Sequence, residues 1–237
     1  MPRFSPLIAA SLLLLSPVRA LAEPGPEALD QLEPAAGEWQ AEWLGVFGGE
    51  GEQGLELLAG VTDQLVIGGE IEFEGPRDGL VYEGASAILM WRFTDPKQRP
   101  VGLGLMAELG LDRGGQLSAL EARGIAEVQN ERWWLQANAI LRHVRDDGAR
   151  GTGIAYSASA QRAVAGLWLG MEASGQAVRL GGEPALASQG SHYAGPSLTI
   201  EQDIGAESEV EIGLAWLERL KGEGSPSGPR VFVQFTF

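Results

Sequence analysis

Between Leu65 and Glu74 the chain reads LVIGGEIEFE, and its two alternating sets of side chains suit different surroundings. Leu65, Ile67, Gly69, Ile71 and Phe73 fall on one side, and Glu70, Glu72 and Glu74 end the other. A period of two is the signature of a β-strand, because successive side chains point to opposite faces. The pattern recurs. In Glu209 to Trp216, Val210, Ile212, Leu214 and Trp216 share a face opposite Glu209, Glu211, Gly213 and Ala215. In Val101 to Leu111, alternate leucines oppose Gly102, Gly104, Met106, Glu108 and Gly110. About twelve such segments follow one another, at 38–47, 54–62, 65–75, 80–94, 100–112, 116–129, 131–145, 151–163, 165–179, 191–203, 207–220 and 228–237, separated by Gly, Asp, Asn and Pro clusters.

Two architectures accept strands of this kind. A soluble sandwich turns its apolar faces into a core, whereas a membrane barrel turns them toward lipid and lines its lumen with the small and polar set. The strands are long enough to cross a membrane at a tilt. Aromatic residues gather near strand ends, Trp39, Trp91, Phe93, Trp133 and Phe237 toward one rim and Phe47, Phe73, Tyr82 and Trp216 toward the other. Connectors are shorter on the first rim, and an even strand number returns both termini to it. These features select an all-β fold: a closed antiparallel transmembrane β-barrel of about 12 strands over residues 38–237.

The flanking segments agree. Residues 1–22 carry Arg3, an apolar run from Leu7 to Leu15 and the small-residue pattern Ala20-Leu21-Ala22, the order of a secretory signal peptide cleaved after about Ala22. No later apolar run approaches the length of a transmembrane helix. Residues 23–37, EPGPEALDQLEPAAG, hold three prolines and four carboxylates and read as a short, disordered, acidic periplasmic arm. The chain has no cysteine, which excludes both disulfides and a lipid-anchored N-terminus, and its formal net charge of −15 argues against nucleic-acid binding.

The last strand, RVFVQFTF, places Phe237, Phe235, Val233 and Val231 on one face. It resembles the C-terminal signature of Gram-negative outer-membrane barrels. The resemblance implies an outer-membrane location, with Phe237, Phe235 and Val233 as the signal read by the barrel-assembly machinery and outer-membrane lipids as surroundings. The stretches GVTDQLVIGGEIEFEG and WRFTDPKQRPVGLGLMAELG further resemble the transporter-like, phenol-degradation-associated outer-membrane family. Those motifs are turn and strand chemistry, so they imply architecture and no functional residue.

The lumen face carries the chemical information. By parity it collects Glu42, Glu56, Glu70, Glu72, Glu74, Glu108, Glu121, Glu127, Glu172, Glu201 and Glu211, against Arg123 and Arg142. Carboxylates cannot face hydrocarbon cheaply. An acid-rich hydrated lumen favours cations or weakly polar solutes and repels anions. The leading expectation is a channel or transporter passing an unidentified small solute, with Glu42, Glu70, Glu72, Glu74, Glu108, Glu121, Arg123, Arg142, Glu172 and Glu211 lining the path. The alternative is a closed structural or adhesive barrel, filled by Glu/Arg pairs and by the inward-facing Trp134, Ile140 and Trp168. A third reading is an outer-membrane lipid or ester hydrolase. It draws on His192 and Ser197, but their five-residue separation puts them on opposite faces of a strand. Neither a catalytic set, a metal site nor a cofactor is expected: two histidines without cysteine make no usual Zn or Cu site.

Overall fold

The structure is a computed structural model that describes residues 26–47, 51–75, 79–96, 98–187, 189–205 and 208–237. The expected signal peptide, its cleavage site and Glu23 to Gly25 lie outside the described residues. Twelve strands follow in order: β1 Trp39–Val46, β2 Glu52–Gly60, β3 Leu65–Glu74, β4 Val81–Thr94, β5 Gly102–Asp112, β6 Leu117–Gln129, β7 Trp133–Asp146, β8 Ala149–Val164, β9 Leu167–Gly182, β10 His192–Asp203, β11 Glu209–Lys221 and β12 Gly228–Thr236. Each pairs antiparallel with its sequence neighbours, and β1 pairs with β12 to close the barrel.

Closure is carried to the last residue. Trp43 sits opposite Val233 and Ala41 opposite Phe235. Beyond the ladder, Trp39 N donates to Phe237 O at 2.7 Å and Phe237 N donates to Trp39 O at 2.9 Å. An unpaired amide in hydrocarbon costs several kcal/mol, so the terminal phenylalanine completes the seam rather than fraying from it. Short turns sit on the rim that holds both ends of this seam. One of them is a two-residue hairpin in which Ala165 and Gly166 both take positive φ, at 52° and 83°. That geometry matches the twist of the strands it joins.

Outward residues are large and apolar. Leu55, Leu57, Ile71, Leu89, Leu105, Leu141, Ile212 and Leu214 are all exposed around the wall. Trp39, Trp91, Phe93, Trp133 and Phe237 are exposed near the short-turn rim, Tyr82 and Trp216 toward the other. A contiguous apolar belt of this extent is unsuited to water and suited to hydrocarbon with aromatic borders.

The N-terminal segment departs from the expectation of a disordered periplasmic arm. Residues 26–37 enter the barrel from the short-turn rim and lie along the lumen as a strap without regular secondary structure. Leu32 is 1% exposed, and Pro34 and Glu27 are buried with it. A proline-rich, acidic composition leaves a segment disordered only when it has no partner surface; here the wall supplies one.

The assembled barrel is expected to migrate ahead of its boiled form on a denaturing gel. Identical migration of heated and unheated protein refolded in detergent would refute a closed barrel.

Candidate functional site

The strap divides the lumen chemistry. At its base, Gly37 N donates to Gly60 O at 2.8 Å and Gly60 N to Glu38 O at 3.0 Å, tying it to the end of β2. A Cβ on Gly60 would collide with the Ala35 carbonyl, so only glycine lets the strap bend inward there. One step higher, Leu32 packs into a cluster of inward-facing Leu58, Val66, Ile88, Met90, Met106 and Ile125. These come from β2 to β6. A Cβ on Gly104 would lie 2.5 Å from Leu32 Cδ2, and one on Gly102 2.7 Å from Leu32 Cδ1. The Gly-x-Gly of β5 is therefore the seat of the Leu32 knob. Burying a leucine in this way contributes about 1.5–3 kcal/mol.

Polar contacts fasten the strap mostly to the β6–β9 wall. Arg92 Nη1 donates to Leu32 O at 3.1 Å, and Leu32 N donates to Glu127 Oε2 at 3.2 Å. Asp30 N donates to Asn138 Oδ1 at 2.8 Å, while Asn138 Nδ2 donates back to Asp30 O at 3.1 Å. Ser157 Oγ donates to Ala28 O at 2.7 Å. Asp30 also forms a salt bridge with Arg123. Glu27 accepts from Arg142 Nη2 at 2.8 Å and from Gln176.

The wall has its own network. Glu121 takes hydrogen bonds from Arg123 Nη2 and Arg142 Nε, both at 2.6 Å. Glu172 pairs with Arg230. Trp134 Nε1 donates to Glu127 Oε1 at 2.8 Å, Trp168 Nε1 donates to Glu201, and the two indoles meet edge to face at 5.8 Å. Trp134 and Ile140 are buried. With the strap in place the cavity behind it, lined by Leu29, Asp30, Glu42, Glu211 and Arg230 among others, holds only about 20 Å³. That is room for about one water.

The opposite wall is different. Cross-strand register sets Glu201 beside Glu211, Glu211 beside Gln234, Gln234 beside Glu42, Glu42 beside Glu56, and Glu56 beside Glu70. Five carboxylates thus stand in one row that climbs around half the barrel, interrupted by a single amide. Carboxylate oxygens of Glu70, Glu72 and Glu108 lie within 4.8 Å of one another. No salt bridge within 4.0 Å joins Glu42, Glu56, Glu70, Glu72 or Glu108 to a cation among the described residues. Glu74 sits at the long-loop rim, opposite Glu52.

Residues singled out from the sequence are therefore split into two groups. Glu121, Arg123, Arg142 and Glu172 belong to the ion-paired wall that grips the strap or braces it. Glu42, Glu70, Glu72, Glu108 and Glu211 belong to the acidic side, where Glu211 accepts from Gln31 of the strap at 3.2 Å. The structure adds two inward arginines that the sequence pattern did not single out. Arg92 and Arg230 are 5% and 4% exposed, and both have lumen parity within their strands. His192 and Ser197 are not brought together. His192 Nδ1 meets Tyr156 Oη at 3.0 Å on the outer face, while Ser197 Oγ is buried inside and accepts from Gln161 Nε2 at 3.1 Å. Asp146 ends β7 beside a two-residue turn, Asp147 and Gly148, where both φ angles are positive.

Taken together, the wall, the seam and the apolar belt are those of a closed transmembrane β-barrel. Among solved structures, an outer-membrane channel from Pseudomonas putida F1 superposes with a TM-score of 0.56 at 14% identity, covering 90% of this chain and 99% of that one. KdgM porin superposes with a TM-score of 0.50 at 8% identity, over 84% of this chain and 98% of that one. The likeness is one of fold. No family model and no curated protein matches the sequence.

Because the chain lacks cysteine, an Ala28→Cys thiol would be its sole thiol and would report on the strap. Leu32→Ala should loosen docking by about 2–5 kcal/mol and speed maleimide labelling of that thiol at least about tenfold. Equal labelling rates with and without Leu32 would show that the knob does not hold the strap.

Proposed function

We propose that this protein is an outer-membrane channel for small solutes whose pathway opens when the N-terminal strap leaves the lumen, and that the open pathway favours cations. One observation carries the reading. Among the described residues Glu42, Glu56, Glu70, Glu72 and Glu108 have no ion-pair partner, whereas every inward arginine described above is engaged. Arg92 binds strap and turn carbonyls, Arg123 and Arg142 bind Glu121 and the strap, and Arg230 binds Glu172. A lumen with its cations committed and its carboxylates uncommitted presents a negative field to solutes. The two structural neighbours, one a porin and the other a channel, support the channel part of the reading.

The strap accounts for how a channel fold can be shut. It fills the socket of Leu32 near the short-turn rim and occupies Arg123 and Arg142 with Glu27 and Asp30. Withdrawal removes an apolar knob and two acidic side chains together. It leaves the five-carboxylate row lining one side, with Glu72 and Glu108 beside it.

A second reading is a permanently closed barrel of structural or adhesive role. The observation favouring it is the same tight filling: Trp134, Trp168, Ile140 and the Glu121 network occupy the lumen beside the strap.

Planar-bilayer recording separates them. The intact protein should conduct weakly, and Gly104→Val, which places a branched side chain where Leu32 sits, should raise conductance or open probability with cation preference. Deletion of residues 26–37 should do the same more strongly. Silence in all three, with folded barrels by gel, favours the closed reading, and a clear anion preference would defeat the proposed selectivity.

A further inference from the structure

The row of carboxylates has a feature that an open pathway does not require. At its centre, Glu42 and Glu56 face one another across β1 and β2, and Glu42 faces Gln234 on its other side. Directly paired side chains have Cβ atoms about 4.5–5.5 Å apart, and two like charges in that arrangement repel. A small cavity of about 10 Å³ lies against them, lined by Glu42, Glu56, Gln40 and Gln234, with Leu58, Met90 and Met106 as apolar walls. The strap covers it with Leu29, Asp30 and Gln31.

The amides are the independent observation. Gln234 is 2% exposed and Gln40 5%, and the Oε1 atom of each is buried with no hydrogen-bond partner. A buried carbonyl oxygen left unpaired costs about 1–3 kcal/mol, and here two of them line the same space as two carboxylates. Among the described residues no salt bridge within 4.0 Å reaches Glu42 or Glu56. Arg230, which lines the neighbouring cavity with Glu42, is bonded to Glu172, and Arg123 is bonded to Glu121 and Asp30. The strap's own donor, Gln31 Nε2, is directed to Glu211.

Two carboxyl groups and two orphaned amide oxygens around a space for one water-sized particle define a particular ligand chemistry. Hard divalent cations take six to eight oxygens from carboxylates and amide carbonyls, and Ca²⁺ accepts irregular geometry where Mg²⁺ demands a near-ideal octahedron. Two carboxylates and two amide carbonyls supply up to six oxygens. We infer that Glu42, Glu56, Gln40 and Gln234, covered by residues 29–31 of the strap, bind one hard cation of the Ca²⁺ class between wall and strap. The bound ion removes the repulsion within the row and satisfies the buried amide oxygens. Because the strap closes the site, the ion also stabilises the strap in the lumen. The inference is independent of conduction, since it concerns the strapped state alone.

The test uses full-length protein refolded in detergent and stripped of metal by chelator. Calorimetric titration with Ca²⁺ should show one ion bound per chain, and Ca²⁺ should raise the temperature at which the fast-migrating gel form is lost. Glu56→Gln should lower Ca²⁺ affinity on the order of tenfold or more. In chelator it should match or exceed the wild-type transition, because the like-charge contact is gone. Gln234→Leu should also weaken binding, without altering the number of carboxylates. The inference is overturned if the unmodified protein shows no Ca²⁺ binding, if both variants respond to Ca²⁺ as the unmodified protein does, or if choline chloride at matched ionic strength raises the transition equally, since that would be screening alone.

Discussion

A sheet in hydrocarbon has no edge to spare, and the rest of this molecule depends on that. Every amide along β1 and β12 must find its partner within the chain, so the two must pair, and Phe237 must bond to Trp39. Once the ring is closed, each strand has an outside and an inside with no third option. Period-two alternation then assigns each residue its surroundings. Most leucines, isoleucines and valines take the lipid side, and the glutamates of the strands are largely driven inward, whatever their mutual repulsion. The concentration of charge in the lumen is thus a consequence of closure before it is a feature of function.

What the protein does with that interior differs between its two halves. From β6 to β9 the inward set includes Arg123, Arg142, Asn138, Ser157 and Gln176, which offer donors. The strap, rich in carboxylates and bare backbone carbonyls, lies against them. From β2 to β6 near the short-turn rim, the inward set is apolar, and the same strap presents Leu32 there. One irregular segment therefore answers two different surfaces. Tethering strengthens each contact: because residue 37 is fixed to Gly60, the remainder of the strap is held at a high effective concentration beside its sites. Individually modest hydrogen bonds and ion pairs suffice to keep it docked, and no one of them must be strong. None of these contacts belongs to the twelve strand pairings that close the barrel.

The barrel is legible in the sequence because its code is local. Alternation, turn residues and aromatic borders are each read within a few positions, and the boundaries of strands such as Leu65–Glu74 and Leu117–Gln129 fall within a residue or so of where the pattern breaks. Arg92 and Arg230 are visible by the same parity. They escape notice because each sits among aromatic and apolar neighbours, in WRF and RVF, that draw attention to the lipid face. The strap is not legible by composition, because proline and acid content describe a segment alone and not the surface awaiting it. A signal does exist. Val66, Ile88, Met90, Met106 and Leu58 have lumen parity and yet are apolar, and a greasy patch inside a hydrated barrel requires a cover. Leu29 and Leu32 are the nearest apolar residues outside the strand pattern. The glycines at 102 and 104, which parity alone places as generic lumen residues, mark where that cover is seated.

The acidic row shows how far parity can go and where three-dimensional register must take over. That Glu42, Glu56, Glu70 and Glu211 share the inner face follows from counting odd and even positions. That four of their contacts fall in one continuous cross-strand line, with Gln234 between Glu211 and Glu42, follows only from how far each strand is shifted against the next. A shift of two residues at a single hairpin would keep every side chain facing inward and yet separate the carboxylates. Registers that place like charges side by side persist when a compensating contact exists, and among the described residues the wall gives neither Glu42 nor Glu56 a salt bridge within 4.0 Å. Compensation is then available from a proton held between the carboxyls, from the strap, from water, or from an ion. This is why the strap and the row are best understood as one unit, the strap covering carboxylates that the sheet leaves without a salt bridge.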